Sequence, residues 1–161
     1  MIRCETAKDY EAVYHVVQEA FAHAEHSDGS EQDLVAALRK SDTFVPALSL
    51  AAESEGNLVG HILFSKVTVG DHTALALAPL SVLPSYQRRG IGKALIREGH
   101  RIAKKLGFSY VIVLGDAKYY SQWGYVPASR YGIRAPFAVD DENFMAIQLL
   151  EHAEPICGIV Q

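Results

Sequence analysis

Cysteine is scarce in this sequence: Cys4 and Cys157 are the only two, at opposite ends of 161 residues. That excludes a zinc ribbon, a Cys-x-x-Cys redox pair and a disulfide framework, which need closely spaced or more numerous thiols. Long apolar runs are missing as well, and nothing approaches the roughly 20 uninterrupted apolar residues of a membrane helix. The opening Met1-Ile2-Arg3-Cys4-Glu5 lacks the basic-then-apolar order of a secretory signal. Positive charge is not in excess: fifteen Lys and Arg stand against nineteen Asp and Glu, for a formal net charge of −4. The chain therefore lacks the electrostatic footprint of a duplex-binding protein. Repeats, low-complexity tracts and linkers are absent too. Together these point to a soluble cytoplasmic protein with no membrane or nucleic-acid partner.

What is present is apolar material, 49% of the chain by residue, enough for one ordinary domain spanning residues 1–161 with a substantial core. A chain this apolar offsets its ordering entropy by burial, so disorder is not expected. The basic residues are clustered: Arg88, Arg89, Lys93, Arg97, Arg101, Lys104 and Lys105 crowd one segment. One basic segment in an acidic protein fits a small anionic ligand better than a polyanion surface.

Local patterns set out the elements. Ile2–Glu5 reads as a short strand. Thr6 is placed to cap a helix, with Asp9 suited to its positive N-terminal end, and Val13, Val16, Val17, Ala20 and Phe21 follow an amphipathic stripe. After a polar break at residues 23–30, Ser30 caps a second helix with Leu34, Val35 and Leu38 inward. Residues 47–53 and 58–69 read as strands of a hairpin turning through Glu55-Gly56-Asn57. Gly70-Asp71-His72 turns into a strand from Thr73 to about Leu83. Residues 90–106 form the strongest helix, with Ile91, Leu95, Ile102 and Leu106 inward and Gly107 as its stop. A buried strand at Tyr110–Leu114, a short helix at 118–123 ending at Gly124, a long loop at 128–142 and a last strand at 143–149 complete the chain. The fold class is α/β, a mixed sheet with helices on both faces.

The chemistry concentrates in Leu80-Ser81-Val82-Leu83-Pro84-Ser85-Tyr86-Gln87-Arg88-Arg89-Gly90-Ile91-Gly92-Lys93-Ala94. A strand ends, a loop follows and a helix begins, offering unpaired N–H groups and a positive dipole end to a phosphate. Gly90 and Gly92 carry no Cβ to keep a pyrophosphate off the backbone, and Arg88, Arg89 and Lys93 add charge. The bland alternative is a glycine turn opening a basic surface helix. A Walker A loop is excluded because Ala94 follows Lys93. The dinucleotide fingerprint fails because its third glycine falls on Leu95. Pro79 cannot donate to a sheet ladder and Pro84 keeps Leu83 extended. A strand with free backbone groups there suits an extended, amide-bearing ligand such as pantetheine, which is joined to a pyrophosphate.

These residues resemble the GCN5-related N-acetyltransferase (GNAT) superfamily. Gln87-Arg88-Arg89-Gly90-Ile91-Gly92 matches its [QR]-x-x-G-x-[GA] acyl-CoA motif, and Tyr120-Ser121-Gln122-Trp123-Gly124-Tyr125 resembles its Y-x-x-x-G-[FY] segment. Pro79–Pro84, Val113-Leu114-Gly115-Asp116, Tyr119-Tyr120 and Val59-Gly60-His61-Ile62-Leu63-Phe64-Ser65 are similar to the bacterial YhbS-like branch. Ala117 departs from that branch, which usually has proline there. The resemblance implies the GNAT fold, with its sheet splayed at the acyl-CoA-binding strand. It also implies acetyl-CoA as co-substrate, no metal, and an N-acetyltransferase activity on a small-molecule or peptide amine. By the same analogy the backbone of Leu80, Ser81 and Val82 holds pantetheine and polarises the thioester. The pyrophosphate falls to Gln87, Arg88, Arg89, Gly90, Ile91, Gly92 and Lys93, with Asp116 and Tyr119 also on the cofactor. Tyr120 protonates the departing thiolate, although it also reads as a core aromatic beside Trp123. A homodimer is the family analogy for assembly.

The base does not transfer with the motif. Glu31, at the start of the second helix, is the candidate, and it also reads as a first-turn glutamate stabilising the helix dipole. Glu25 and Asp28 are alternatives. His61 on its strand reads as a satisfied core or edge histidine, and His15, His23 and His26 show no metal-ligand spacing with an acidic partner. The loop's Arg130, Tyr131, Arg134 and Phe137 favour an anionic acceptor if they line its pocket. The acidic stretch 25–33 favours a cationic one. Neither cysteine belongs to a nucleophile motif, so direct attack is expected rather than an acyl-enzyme. Two readings from other classes stand beside the enzyme: a non-catalytic acyl-CoA sensor, and a partner-binding module using the basic helix.

Overall fold

The computed structural model describes residues 1–22 and 27–161; His23, Glu25 and His26 lie outside the described residues. Its elements are β1 (Ile2–Cys4), α1 (Tyr10–Phe21), α2 (Glu31–Arg39), β2 (Phe44–Ser54), β3 (Asn57–Val69), β4 (His72–Val82) and α3 (Ile91–Lys105). They continue with β5 (Tyr110–Leu114), α4 (Ala117–Ser121), β6 (Val126–Pro127), β7 (Ile133–Arg134), β8 (Phe144–Gln148) and β9 (Gly158–Ile159). The strand order is β1-β2-β3-β4-β5-β8-β6, with β7 and β9 paired apart. The β4–β5 pairing is parallel while β1–β2, β2–β3, β5–β8 and β6–β8 are antiparallel, so the sheet is mixed. The chain divides into two compact units, Met1–Ser65 with Ala78–Ile102, and Lys66–Leu77 with Ala103–Gln161. Among the described residues no helix is long and apolar enough to cross a membrane.

In the first unit β2 and β3 turn through Glu55 and Gly56, at φ 54° and 82°, the two left-handed residues of a tight hairpin turn. Asn57 belongs to β3. Side chains of β3 alternate between two faces, which sorts the helices. Leu63 packs with Val13, Val17 and Val35 of α1 and α2. Gly60 lies against Ile91 and Leu95 of α3, and Phe64 against Gly99. Helices therefore cover both faces.

Two inward assignments need correction. Leu34 is 43% exposed, while Gln32 and Val35 are buried, so α2 is rotated from the expected phase; its Arg39 reaches inward to Glu5. Leu106 is 50% exposed and falls beyond the end of α3. The buried stripe of that helix is Leu95, Ile96, Gly99 and Ala103.

In the second unit, β4 pairs with β5 at Leu75↔Val111 and Ala76↔Ile112. Among the described residues that parallel pairing does not extend past Ala76. Strand β5 then pairs with β8 from Tyr110↔Gln148 to Leu114↔Phe144. The core gathers Ala74, Tyr110, Ile112, Ile133, Phe144 and Ile156. The segment 128–142 is not an unbroken loop: a 3-10 turn at Ala128–Tyr131 leads into β7. Nor is β8 the last strand, since β9 pairs parallel with β7 at Ile133↔Gly158 and Arg134↔Ile159. Two-residue strands are too short to show an alternating pattern.

Candidate functional site

The phosphate loop is shaped by its backbone. Pro84 opens a 3-10 turn, Pro84–Tyr86, after an extended Leu83 at φ −53° and ψ 138°. Gln87 is extended, and its Nε2 donates to the Val82 carbonyl at 3.1 Å, tying the loop to the strand end. Arg88 adopts φ 64° and Gly90 φ 83°. Glycine takes that conformation freely; arginine does so at a cost of the kind concentrated at ligand sites. The first bond within α3 runs from the Ala94 N–H to the Gly90 carbonyl, 3.0 Å, so the opening N–H groups of the helix emerge at its N-terminus beside this loop. Residues 87–90 are exposed, and the Arg89 guanidinium lies 5.0 Å from the centre of the Tyr86 ring. Leu80, Ser81 and Val82 lead directly into the loop on β4. The first unit thus brings all of these candidates into one continuous stretch.

Behind that strand sits a buried polar group. The Leu83 N–H donates to the Val59 carbonyl at 2.8 Å. Such bonds join opposite residues of antiparallel strands, which sets Gly60 against Val82 and His61 against Ser81. Ser81 is 1% exposed and its Oγ has no partner; nor has Nδ1 of the fully buried His61. His61 Nε2 stands 3.0 Å from Ser49 Oγ and 3.2 Å from Glu5 Oε1. Arg39 closes on the same carboxylate with Nε and Nη2 at 2.9 and 2.8 Å. His61 is therefore a core histidine satisfied on one nitrogen. Burial pushes the Glu5 carboxyl up, but bonds from His61 and Arg39 outweigh that and hold it at about 2.

Glu31 opens α2 and accepts a hydrogen bond from the Ser27 hydroxyl. Ser30 occupies the cap position, yet its hydroxyl donates to Asp28 instead of capping the helix.

In the second unit Asp116, Tyr119 and Tyr120 stand together around α4. Asp116 caps that helix, its carboxylate accepting the Lys118 N–H at 2.8 Å. The Tyr120 ring meets Tyr119 and Tyr125 edge-on, with centroids 5.0 and 5.7 Å apart. It also lies over Gly115, where a Cβ would come within 2.6 Å of it. Burial, and then the neighbouring Tyr119, push the Tyr120 phenol well above its ordinary range. Burial also raises Tyr119.

Sequence reasoning read His61 as a core or edge histidine but missed its grouping with Glu5 and Arg39, and it missed the close approach at Gly60. A Cβ at Gly60 would meet Ile91, Leu95 and the Ser81 carbonyl at 3.1 to 3.2 Å. A glycine inside a strand is the available signal for such an approach. Among the described residues no group of three His, Cys, Asp or Glu is placed to hold a metal.

Comparison with known proteins gives a consistent set of similarities. The family model described as Acetyltransferase (GNAT) family matches residues 10–125. The uncharacterized N-acetyltransferase YjhQ of Escherichia coli K12 is 42% identical over 118 residues, 70% of this chain and 65% of that protein. The match thus spans just under two thirds of the length of YjhQ. Among solved structures, YhbS from Escherichia coli in complex with CoA superposes with a TM-score of 0.88 at 27% identity, covering 99% of this chain and 87% of that one. A GNAT family acetyltransferase from Brucella melitensis in complex with acetyl-CoA gives 0.81 at 32% identity, covering 99% and 93%.

Proposed function

The chain belongs to the acetyltransferase (GNAT) family, and from that premise we propose that it is an enzyme moving an acetyl group from acetyl-CoA to a primary amine by direct attack in a ternary complex. The observation that carries this reading is the stretch from Gln87 to Lys93. Left-handed Arg88 and Gly90 lead into a helix N-terminus, Gly92 leaves its first turn without a side chain, and Arg88, Arg89 and Lys93 lie in the same stretch. That donor set fits a pyrophosphate held by backbone N–H groups.

On this reading Leu80, Ser81 and Val82 present backbone groups to pantetheine and to the thioester carbonyl. Gln87, Arg88, Arg89, Gly90, Ile91, Gly92 and Lys93 hold the pyrophosphate, and Asp116 and Tyr119 also serve the cofactor. The amine nitrogen attacks the thioester carbon and the carbon–sulfur bond breaks. Tyr120 gives its proton to the departing thiolate, and the amine loses one through Glu31. The raised phenol is compatible with the role of Tyr120 in that burial keeps the proton on the oxygen, available to donate. Direct attack is supported by the thiols: Cys4 Sγ donates to the Ala47 carbonyl at 3.8 Å and Cys157 packs on Gly132, and neither belongs to a nucleophile motif.

Calorimetric titration with acetyl-CoA, beside NADH and ATP, tests the reading on the parent protein and Gly92→Glu. Selective acetyl-CoA binding that the glutamate abolishes is expected. Folded parent protein that binds no acetyl-CoA overturns it.

A further inference from the structure

Behind the strand assigned to acyl-CoA, the first unit buries a run of polar groups that the proposed chemistry leaves without a role. Burial alone would raise Glu5, yet its bonds from His61 and Arg39 keep it at about 2, so near neutrality it is a carboxylate that only accepts hydrogen bonds. His61 Nε2, 3.2 Å from Glu5 Oε1, must then carry the proton of a neutral imidazole. That leaves Nδ1 as a bare acceptor, fully buried and with no partner among the described protein groups. Directly opposite on β4 stands Ser81, whose hydroxyl can donate and is equally buried and unpartnered. Residues opposed across antiparallel strands turn their side chains to the same face, with Cβ atoms about 5 Å apart. By the alternation of β3 that is the face of Leu63, covered by α1 and α2.

Buried polar groups are paired, with protein or with an ordered water. A bare acceptor and a hydroxyl on opposed residues offer one water two complementary partners. We propose that a single water joins His61 Nδ1 to Ser81 Oγ, completing a Glu5–His61–water–Ser81 line, and that His61 and Ser81 are positioning residues for the thioester. Ser81 stands between Leu80 and Val82, at the centre of the backbone assigned to pantetheine and to the thioester carbonyl. Among the described residues the pairing of β4 with β5 does not extend past Ala76, while Leu83 bonds to Val59 of β3. A strand end held by its ladder along one edge can still roll about its own axis. The line grips this end by a side chain at right angles to the ladder, which fixes the roll and so the aim of the neighbouring backbone groups. The proposal rests on the acetyl-CoA reading above and adds to it a buried support from the side of α1 and α2.

Two spectra test it on the parent, Ser81→Ala and Ser81→Thr: ¹⁵N resonances of the labelled histidines, and the infrared carbonyl stretch of bound acetyl-CoA carrying ¹³C at the thioester. In the parent, His61 is expected to carry its proton on Nε2 and to accept a hydrogen bond at Nδ1. Ser81→Ala should move the Nδ1 resonance to that of an unbonded acceptor, and Ser81→Thr, which keeps the hydroxyl on a residue suited to strands, should not. The carbonyl stretch should fall when acetyl-CoA binds the parent. Ser81→Ala should hold the Kd within about threefold yet lose about half of that lowering, and Ser81→Thr should restore it. A proton on Nδ1, or an Nδ1 resonance indifferent to the hydroxyl, overturns the line. An Nδ1 that responds while the carbonyl lowering stays unchanged overturns the positioning role. Folded parent that binds no acetyl-CoA overturns the acyl-CoA reading and that role with it, while the nitrogen spectra still decide the line.

Discussion

Arg39, the last residue of α2, grips Glu5 just beyond β1 with two parallel bonds of 2.9 and 2.8 Å across 34 residues of sequence. The two side chains are only 11% and 3% exposed, and the guanidinium also lies 3.9 Å from the centre of the Tyr10 ring. A buried pair of this kind is weak in net terms but costly to break on one side, because the survivor is left charged and desolvated. Arg39→Ala is expected to lower unfolding stability by about 3–5 kcal/mol. The double variant Glu5→Gln/Arg39→Met should lose much less. Urea unfolding of the three proteins checks this; a double variant as unstable as the sum of its singles contradicts it.

The same carboxylate sets a response to acid. Glu5 sits at about 2 instead of its ordinary 4.5, and Asp9 is lowered as well, chiefly by its bonds from Arg3. A carboxylate with a depressed pKa binds fewer protons when folded. Its stabilisation is complete above the ordinary carboxylate range and is lost as pH falls from about 4.5 towards 2. For Glu5 this amounts to about 3 kcal/mol. Stability measured at a series of pH values should therefore be level near neutrality and fall through that window. Glu5→Gln with Arg39→Met should flatten part of the fall. A pH dependence unchanged by the double variant shows that the pair does not carry it.

Why was this pair invisible in the sequence when the phosphate loop was plain? The loop is a contiguous signal: glycines, prolines and cations act on their own backbone, and the strand–turn–helix they specify is local. Strand β5, predicted at Tyr110–Leu114, is found at those bounds because a continuous apolar run flanked by turns has one short reading. Glu5, Arg39 and His61 are drawn together only by tertiary packing, and periodicity says nothing about charges that face inward. The Arg39 contact turns α2 inward at a polar residue, which leaves Leu34 outside. In α3 the error at Leu106 has a different source. Gly99 is a core position whose space is filled by Phe64, so the stripe passes through a residue that looks like a gap. Motif spacing located the candidates for the acyl-CoA chemistry.

That glycine leads to a third prediction. A Cβ at Gly99 would lie 2.2 Å from Cε1 and 2.5 Å from Cζ of Phe64, a ring with no exposed surface. In an exposed helix, glycine to alanine gains about 1 kcal/mol. Here overpacking should reverse the sign, and Gly99→Ala is expected to cost about 1–3 kcal/mol. Phe64→Leu removes the obstructing edge, so the double variant should be more stable than additivity allows. Thermal unfolding of the four proteins gives the coupling. A stabilising Gly99→Ala in the parent background shows that the ring moves aside.

The last prediction concerns Tyr120, whose hydroxyl is assigned the proton for the thiolate. Phenylalanine preserves the ring that covers Gly115 and meets Tyr119 and Tyr125 edge-on, so packing and CoA affinity should survive the change. What is lost is the donor. Positioned general acids contribute about 10²–10⁴-fold, and the departing thiolate can still take a proton from water, which sets the expectation at the lower end. Tyr120→Phe should reduce the turnover of acetyl-CoA with a responsive amine about 100-fold, with kcat affected far more than the cofactor Kd. Burial holds the proton on this phenol well above its ordinary range, so the parent's rate should not decline through ionisation of Tyr120 at moderately alkaline pH. Thiol release followed from neutral to alkaline pH, beside calorimetry of both proteins, separates the two effects. Full turnover by Tyr120→Phe removes the tyrosine from the chemistry, and a parent that binds acetyl-CoA yet turns over none of a broad amine panel favours a sensor over an enzyme.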